Sequence, residues 1–131
     1  MVADPSVLLQ ILFGEAGAAD AVRTVLEADD PIVTTVGALE AEVVWGSRGD
    51  FADAAVATLL ARLGARVVAF EPEHLAEARA AYERFGKGRG HPARLNLGGC
   101  VSYAVAKVTG RPLAFKGDDF TQTDAITVRT G

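Results

Sequence analysis

The chain has 131 residues and a mass of 13.7 kDa, which suits one ordinary domain with a single buried core. Half of it is hydrophobic and 23% is charged, which excludes disordered and fibrous classes, and the formal net charge of −4 argues against coating nucleic acid by bulk charge. One cysteine makes neither an internal disulfide nor a thiolate zinc site. No apolar run approaches the ~20 residues of a membrane span, and no secretory signal opens the chain, so the expectation is one soluble, cytoplasmic domain over residues 1–131.

Met1–Asp4 is too short for a free-standing strand and is expected inside a sheet. Asp4-Pro5-Ser6 reads as a helix start, with Asp4 as cap and Pro5 in the first helical position. Val7, Leu8, Ile11 and Leu12 follow at helical spacing until Gly14, and a second helix is expected over Ala18–Ala28. Pro31–Thr34 is a short buried-strand pattern. Val36, Leu39, Val43 and Val44 form the stripe of a third helix, broken by Arg48-Gly49-Asp50, and Val56, Leu59, Leu60 and Leu63 that of a fourth, ending at Gly64. Then come a strand over Arg66–Phe70, a helix after Pro72 with the stripe Leu75, Ala78, Tyr82 and Phe85, and a loop over Gly86–Pro92. A helix carrying Leu97, Cys100, Val101, Ala104, Val105 and Val108 ends near Gly110, and strands are expected over Pro112–Phe115 and Ala125–Val128. Strands alternating with helices predict a three-layer α/β fold, its central sheet mostly parallel and flanked by helices.

In such sheets ligands bind at the carboxyl ends of strands. Asp4 falls at the end of the first strand, and Asp118 and Asp119 follow the Pro112–Phe115 strand after Lys116-Gly117. Glu40 lies inside a helix between Val36 and Val44, where a carboxylate is costly to bury unless it is paired or holds a metal. Asp4, Glu40 and Asp118 are therefore candidates to converge on one divalent cation of the Mg²⁺ type, a site suited to phosphodiester hydrolysis. A helix cap for Asp4 and a turn for Asp118-Asp119 are the ordinary alternatives.

These segments together resemble a known family. The residues that carry the likeness are Met1-Val2-Ala3-Asp4-Pro5-Ser6, Leu39-Glu40-Ala41, the tract from Arg84 to Asn96, Leu97-Gly98-Gly99-Cys100-Val101-Ser102-Tyr103-Ala104, and Phe115-Lys116-Gly117-Asp118-Asp119-Phe120 with Thr123-Asp124. The chain is similar to VapC-type toxins, the PIN-domain ribonucleases of bacterial toxin–antitoxin pairs. The resemblance implies a PIN fold, an RNA endonuclease using Mg²⁺ or Mn²⁺, inhibition by a cognate antitoxin, and a homodimer. It places the acidic site on Asp4, Glu40, position 99 and the Asp118/Asp119 pair, of which Asp118 is favoured as catalytic. Ser6, Asn96 and Asp124 are expected in support.

Position 99 departs from the pattern. The family reads Gly-Asp-Cys where this chain reads Gly98-Gly99-Cys100. An Asp in the first turn of a helix gains from the macrodipole, and Gly costs ~1 kcal/mol against Ala within a helix, so stability does not account for Gly99. A naturally degenerate toxin, a site with other ligands, and a substitution made so that a toxic protein could be produced are the readings left open. Loss of that carboxylate predicts weak metal binding through Asp4, Glu40 and Asp118 and weak or absent cleavage, and a PIN fold that binds RNA or an antitoxin without cutting is the rival function.

From Phe85 through Gly117 there is no acid, while Lys87, Arg89, Arg94, Lys107, Arg111 and Lys116 are all cationic. The window reads as a track for an RNA backbone, with Lys87, Arg89, Arg94 and Lys116 as candidate contacts. A solvated loop with ordinary helix-end cations is the alternative. His91 is expected as a surface or RNA-contacting residue rather than a base, Cys100 as a buried apolar side chain, and Trp45 and Phe13 as core aromatics. The run Gly86-Lys87-Gly88-Arg89-Gly90 lacks the Gly-Lys-Ser/Thr ending of a nucleotide loop.

Overall fold

The computed structural model describes all residues, 1–131. In chain order the elements are β1 (Val2–Ala3), α1 (Pro5–Leu12), α2 (Ala18–Glu27), β2 (Ile32–Thr34), α3 (Thr35–Gly46), α4 (Ala55–Leu63), β3 (Arg66–Val68), α5 (Pro72–Phe85), α6 (Leu97–Thr109), β4 (Leu113–Phe115) and β5 (Thr127–Arg129). The strands form one sheet in the order β3-β2-β1-β4-β5, and every pairing is parallel. This is the three-layer α/β arrangement expected from the alternation of elements. No helix is long and apolar enough to cross a membrane.

The central strands β1, β2 and β4 are buried from both sides, the edge strands β3 and β5 are largely exposed, and the two-residue period of the central strands divides the core. Val2, Ile32, Leu113 and Phe115 point to one face, packing with Ala81, Phe85, Leu95, Tyr103 and Val105 from α5, α6 and the loop between them. Ala3, Val33 and Ala114 point to the other, against Val7, Leu8, Val25, Val56 and Leu60 from α1, α2 and α4. A free Cys100 lies buried in the first of these faces.

The helical stripes differ in three places from those read in the sequence, and on α6 it is the end residues Leu97 and Val108 that face solvent. On α3, Leu39, Val43 and Val44 face solvent, and the small residues Gly37 and Ala41 face inward. A Cβ on Gly37 would lie in ordinary contact, 3.5 Å from Pro5 Cγ and 3.5 Å from Val33 Cγ1, so this face of the helix packs directly on α1 and β2. On α5 the inward positions are His74, Ala78, Ala81 and Phe85, while Leu75 and Tyr82 are exposed. Apolar residues are often exposed singly, and close helix packing selected small side chains over large ones at these contacts.

The strand bounds shift as well. The strand expected over Arg66–Phe70 ends at Val68, because Phe70 already leads into the α5 cap at Glu71. The last strand is Thr127–Arg129 rather than Ala125–Val128, paired in register from Leu113↔Thr127. Phe13 and Trp45 are half-buried rather than core aromatics. They stack on each other at 5.3 Å, and the Arg48 guanidinium lies over the Phe13 ring at 4.5 Å.

Candidate active site

The sheet order places a switch point between β1 and β4, since the chain runs outward from β1 through β2 to β3 and only later returns beside β1 as β4. Crevices at the carboxyl ends of strands flanking such a point are where α/β sheets bind ligands. Asp4 stands at that end of β1, and Gly117-Asp118-Asp119 follow that end of β4. The two ends are tied together by Ser6 Oγ, which accepts from Lys116 N at 3.0 Å.

Asp4 does two jobs. As N-cap of α1 its Oδ2 accepts from Ser6 N at 3.0 Å, with Pro5 in the first turn as expected. Its Oδ1 accepts from Ser102 Oγ of α6 at 2.6 Å, in a buried contact. Burial pushes the Asp4 carboxyl above its ordinary value; both serines oppose that shift, and the charge of Asp119 adds to it.

Glu40, on the second turn of α3, is half-buried and reaches the first turn of α6. A Cβ on Gly98 would overlap Glu40 Oε1, so the carboxylate occupies the space of the side chain that Gly98 lacks. Burial raises the Glu40 carboxyl as well, and the charge of Asp4 is the second cause. Neither Asp4 nor Glu40 forms an ion pair with a Lys, Arg or His. Asp4, at the end of β1, and Glu40, on α3, are thus two desolvated carboxylates, the charge of one acting on the other and neither paired with a cation.

The remaining predicted residues are placed as follows. Asn96 caps α6, its Oδ1 accepting from Gly99 N at 2.7 Å, which puts Gly99 at the third helical position, as expected. A Cβ on Gly99 would meet Asn96 Oδ1 at 3.2 Å and Leu95 Cδ2 at 3.3 Å, so position 99 faces the capping turn. Asp118, favoured from the sequence, turns outward: its side chain is 82% exposed and bonds to Arg129 at 2.5 Å. Asp119 is the member of the pair whose charge acts on Asp4. Asp124 does not join these acids. It accepts from Tyr103 Oη and pairs with Lys107 at 3.2 Å and Arg84 at 3.3 Å, contacts that hold its carboxyl down at about 2. Ser102 is the site residue that the sequence reading quoted only within a motif. Its position one turn beyond Gly98, among Cys100, Val101, Ala104 and Val105, is the available signal.

The expected metal site can be tested against these side chains. No three His, Cys, Asp or Glu side chains gather into a ready-made cage. Asp4 and Glu40 nevertheless offer hard oxygen donors with uncompensated charge, and Mg²⁺ commonly takes only one or two carboxylates and keeps its other positions for water and phosphate oxygen. The donor set fits such a cation, with Asp119 in electrostatic reach and no acid at position 99.

The basic window is narrower in space than in sequence. Lys107 and Arg84 are paired with Asp124, Arg111 with Asp30, and Lys116 with Glu15. Lys87, Arg89 and Arg94 are unpaired, and all three lie on the loop between α5 and α6. Lys87 N donates to Leu95 O and Leu95 N to Phe85 O, both at 2.8 Å, which closes the loop at its base directly before the Asn96 cap. His91 is structural: its Nδ1 accepts from Ala93 N at 3.0 Å, and its ring meets Phe85 edge-on at 4.9 Å. Arg94 is held at φ 50°, an uncommon backbone conformation outside glycine.

Comparison with known proteins agrees with this architecture. The PIN domain family matches residues 1–126. A Ribonuclease VapC of Mycolicibacterium smegmatis is 44% identical over 98% of this chain and 99% of its own. Ribonuclease VapC30 of Mycobacterium tuberculosis is 40% identical over 98% of each chain. A toxin–antitoxin complex from Klebsiella pneumoniae contains a chain of the same fold, with a TM-score of 0.71 at 14% identity, over 97% of this chain and 94% of that one. The α/β sheet with its acidic crevice is that of a PIN domain. Within that class, the chain belongs to the VapC family.

Proposed function

We propose that this chain is a VapC toxin whose crevice is the active site of an RNA endonuclease dependent on Mg²⁺ or Mn²⁺, and that Gly99 leaves this activity weak. The observation that carries the reading is the pair Asp4 and Glu40, which α6 touches one turn apart through Ser102 and Gly98, both desolvated and each without a cationic partner. Buried like charges are costly unless something neutralises them. A divalent cation does so and, when bound, supplies an activated water and charge neutralisation at a phosphodiester. Asp4 and Glu40 are assigned as its protein ligands, with Asp119 in preference to Asp118 as the third acid. The names of the curated relatives, ribonucleases, support the same activity.

Lys87, Arg89 and Arg94 are assigned to the RNA backbone. They are unpaired, and their loop runs into the α6 terminus that Glu40 approaches. A cognate antitoxin as protein partner and a homodimer belong to the same reading and rest on family membership. Gly99 favours a second reading, a PIN fold that binds RNA or an antitoxin without cutting. Cleavage of a structured RNA with and without Mn²⁺ separates the two. Metal-dependent cleavage that disappears in Asp4→Ala is expected; cleavage that survives in that variant, or needs no metal, contradicts the assignment.

A further inference from the structure

Gly99 leaves the first turn of α6 without an acid, yet α6 still touches the crevice. Ser102 Oγ donates to Asp4 Oδ1 at 2.6 Å, and both residues are buried. Asp4 Oδ2 is held by Ser6 N from α1. Each carboxylate oxygen therefore has one donor, supplied by a different helix, and each keeps a further lone pair. Two donors on opposite oxygens fix the plane of the carboxylate as well as its position.

The same stretch of α6 contacts Glu40 through Gly98, one turn before Ser102. A serine in mid-helix commonly bonds back to its own preceding turn. Here the hydroxyl reaches across to the end of β1 instead. Ala would be the better helix former at this position, so helix stability does not explain the hydroxyl, whereas its bond to Asp4 does.

We propose that Ser102 is a positioning residue for the acidic site, its hydroxyl fixing the orientation in which Asp4 meets a divalent cation. The proposal rests on the reading of the crevice as a cation site. Hydrogen-bonded partners that orient a metal-ligating carboxylate typically change metal affinity by about 10–100-fold when removed, and Ser102 stands in that relation to Asp4.

Mn²⁺ titration of the intact protein, followed by loss of the free-ion EPR signal, tests it alongside thermal melting of each variant. Ser102→Ala is expected to weaken Mn²⁺ binding at least about tenfold while the protein stays folded, and Ser102→Thr, which keeps the hydroxyl, is expected to bind like the wild type. Wild-type affinity in Ser102→Ala, with binding lost in Asp4→Ala, overturns the role of Ser102 and leaves the cation site standing. Equal weakening in the Ala and Thr variants also overturns it, since packing rather than the hydroxyl would then be responsible. Binding that Asp4→Ala does not change, or no binding by the wild type, overturns the cation site and this proposal together.

Discussion

The carboxylate of Glu40 rests in the space that a side chain on Gly98 would fill. A glycine in the first turn of α6 is thereby a requirement of α3, not of α6 itself. The sequence pattern around this glycine therefore records contact between two helices that are far apart along the chain.

Gly98→Ala separates stability from site geometry. Ala is about 0.5–1 kcal/mol better than Gly in a helix, and the atom it displaces is the tip of a flexible side chain. The melting temperature should hold or rise, while Mn²⁺ affinity falls about tenfold or more as Glu40 is pushed aside. Unchanged affinity would show that Glu40 does not bind the cation from this position.

Asp118 and Asp119 should behave oppositely. Asp118 is outward and bonded to Arg129, whereas the charge of Asp119 acts on Asp4. Asp119→Asn should reduce metal-dependent cleavage at least about tenfold, with Asp118→Asn close to wild type. The reverse ranking in the same assay would restore the preference read from the sequence.

The loop cations predict a salt signature. Single-stranded nucleic acid binding weakens with salt at a log–log slope of about 0.7 per phosphate contact. Replacing Arg89 and Arg94 by Ala should flatten that slope by about 1.4, whereas Lys116→Ala should leave it unchanged because Lys116 is paired with Glu15. Fluorescence anisotropy on a short RNA across a salt series measures both.

Stability should depend on pH through Asp4 and Glu40. Both carboxyls are raised above their ordinary values in the folded protein. Folding therefore favours their protonated forms, and that contribution, present at low pH, is lost as pH rises through the folded-state values. At neutral pH the ionised pair opposes folding. Asp4→Asn keeps a capping side chain and removes the charge, so its melting temperature should exceed wild type at pH 7. The gain should shrink toward about pH 4, where an unperturbed carboxyl is half protonated. Equal gains at both pH values would contradict a cost of burying the ionised Asp4 carboxyl.

Much of this site was legible in the sequence because its parts sit on local signals. Asp4 precedes a proline-started helix, Asn96 caps α6, and the Asp118-Asp119 turn follows a buried strand, so each announces itself within a few residues. Glu40 stands out for its apolar neighbours, although of these Val43 and Val44 face solvent. The packing of α3 is decided by Gly37 and Ala41, which hydrophobic periodicity cannot distinguish from exposed small residues. The choice between Asp118 and Asp119 turned on Arg129, a distant partner, and the thinning of the basic window turned on Asp30, Glu15 and Asp124. Ion pairs formed across long sequence separations leave no spacing to read.

Position 99 sets the number of acids in the crevice. A Cβ there would meet Asn96 Oδ1 at 3.2 Å and Leu95 Cδ2 at 3.3 Å, so an aspartate enters once those side chains yield by a few tenths of an ångström. The most direct measurement compares Mn²⁺-dependent RNA cleavage by this chain and by Gly99→Asp under identical conditions. A rise of at least about tenfold is expected in the Asp variant, on the scale by which changes around a metal site alter its activity. A folded Gly99→Asp protein that cleaves no faster than this chain would contradict it.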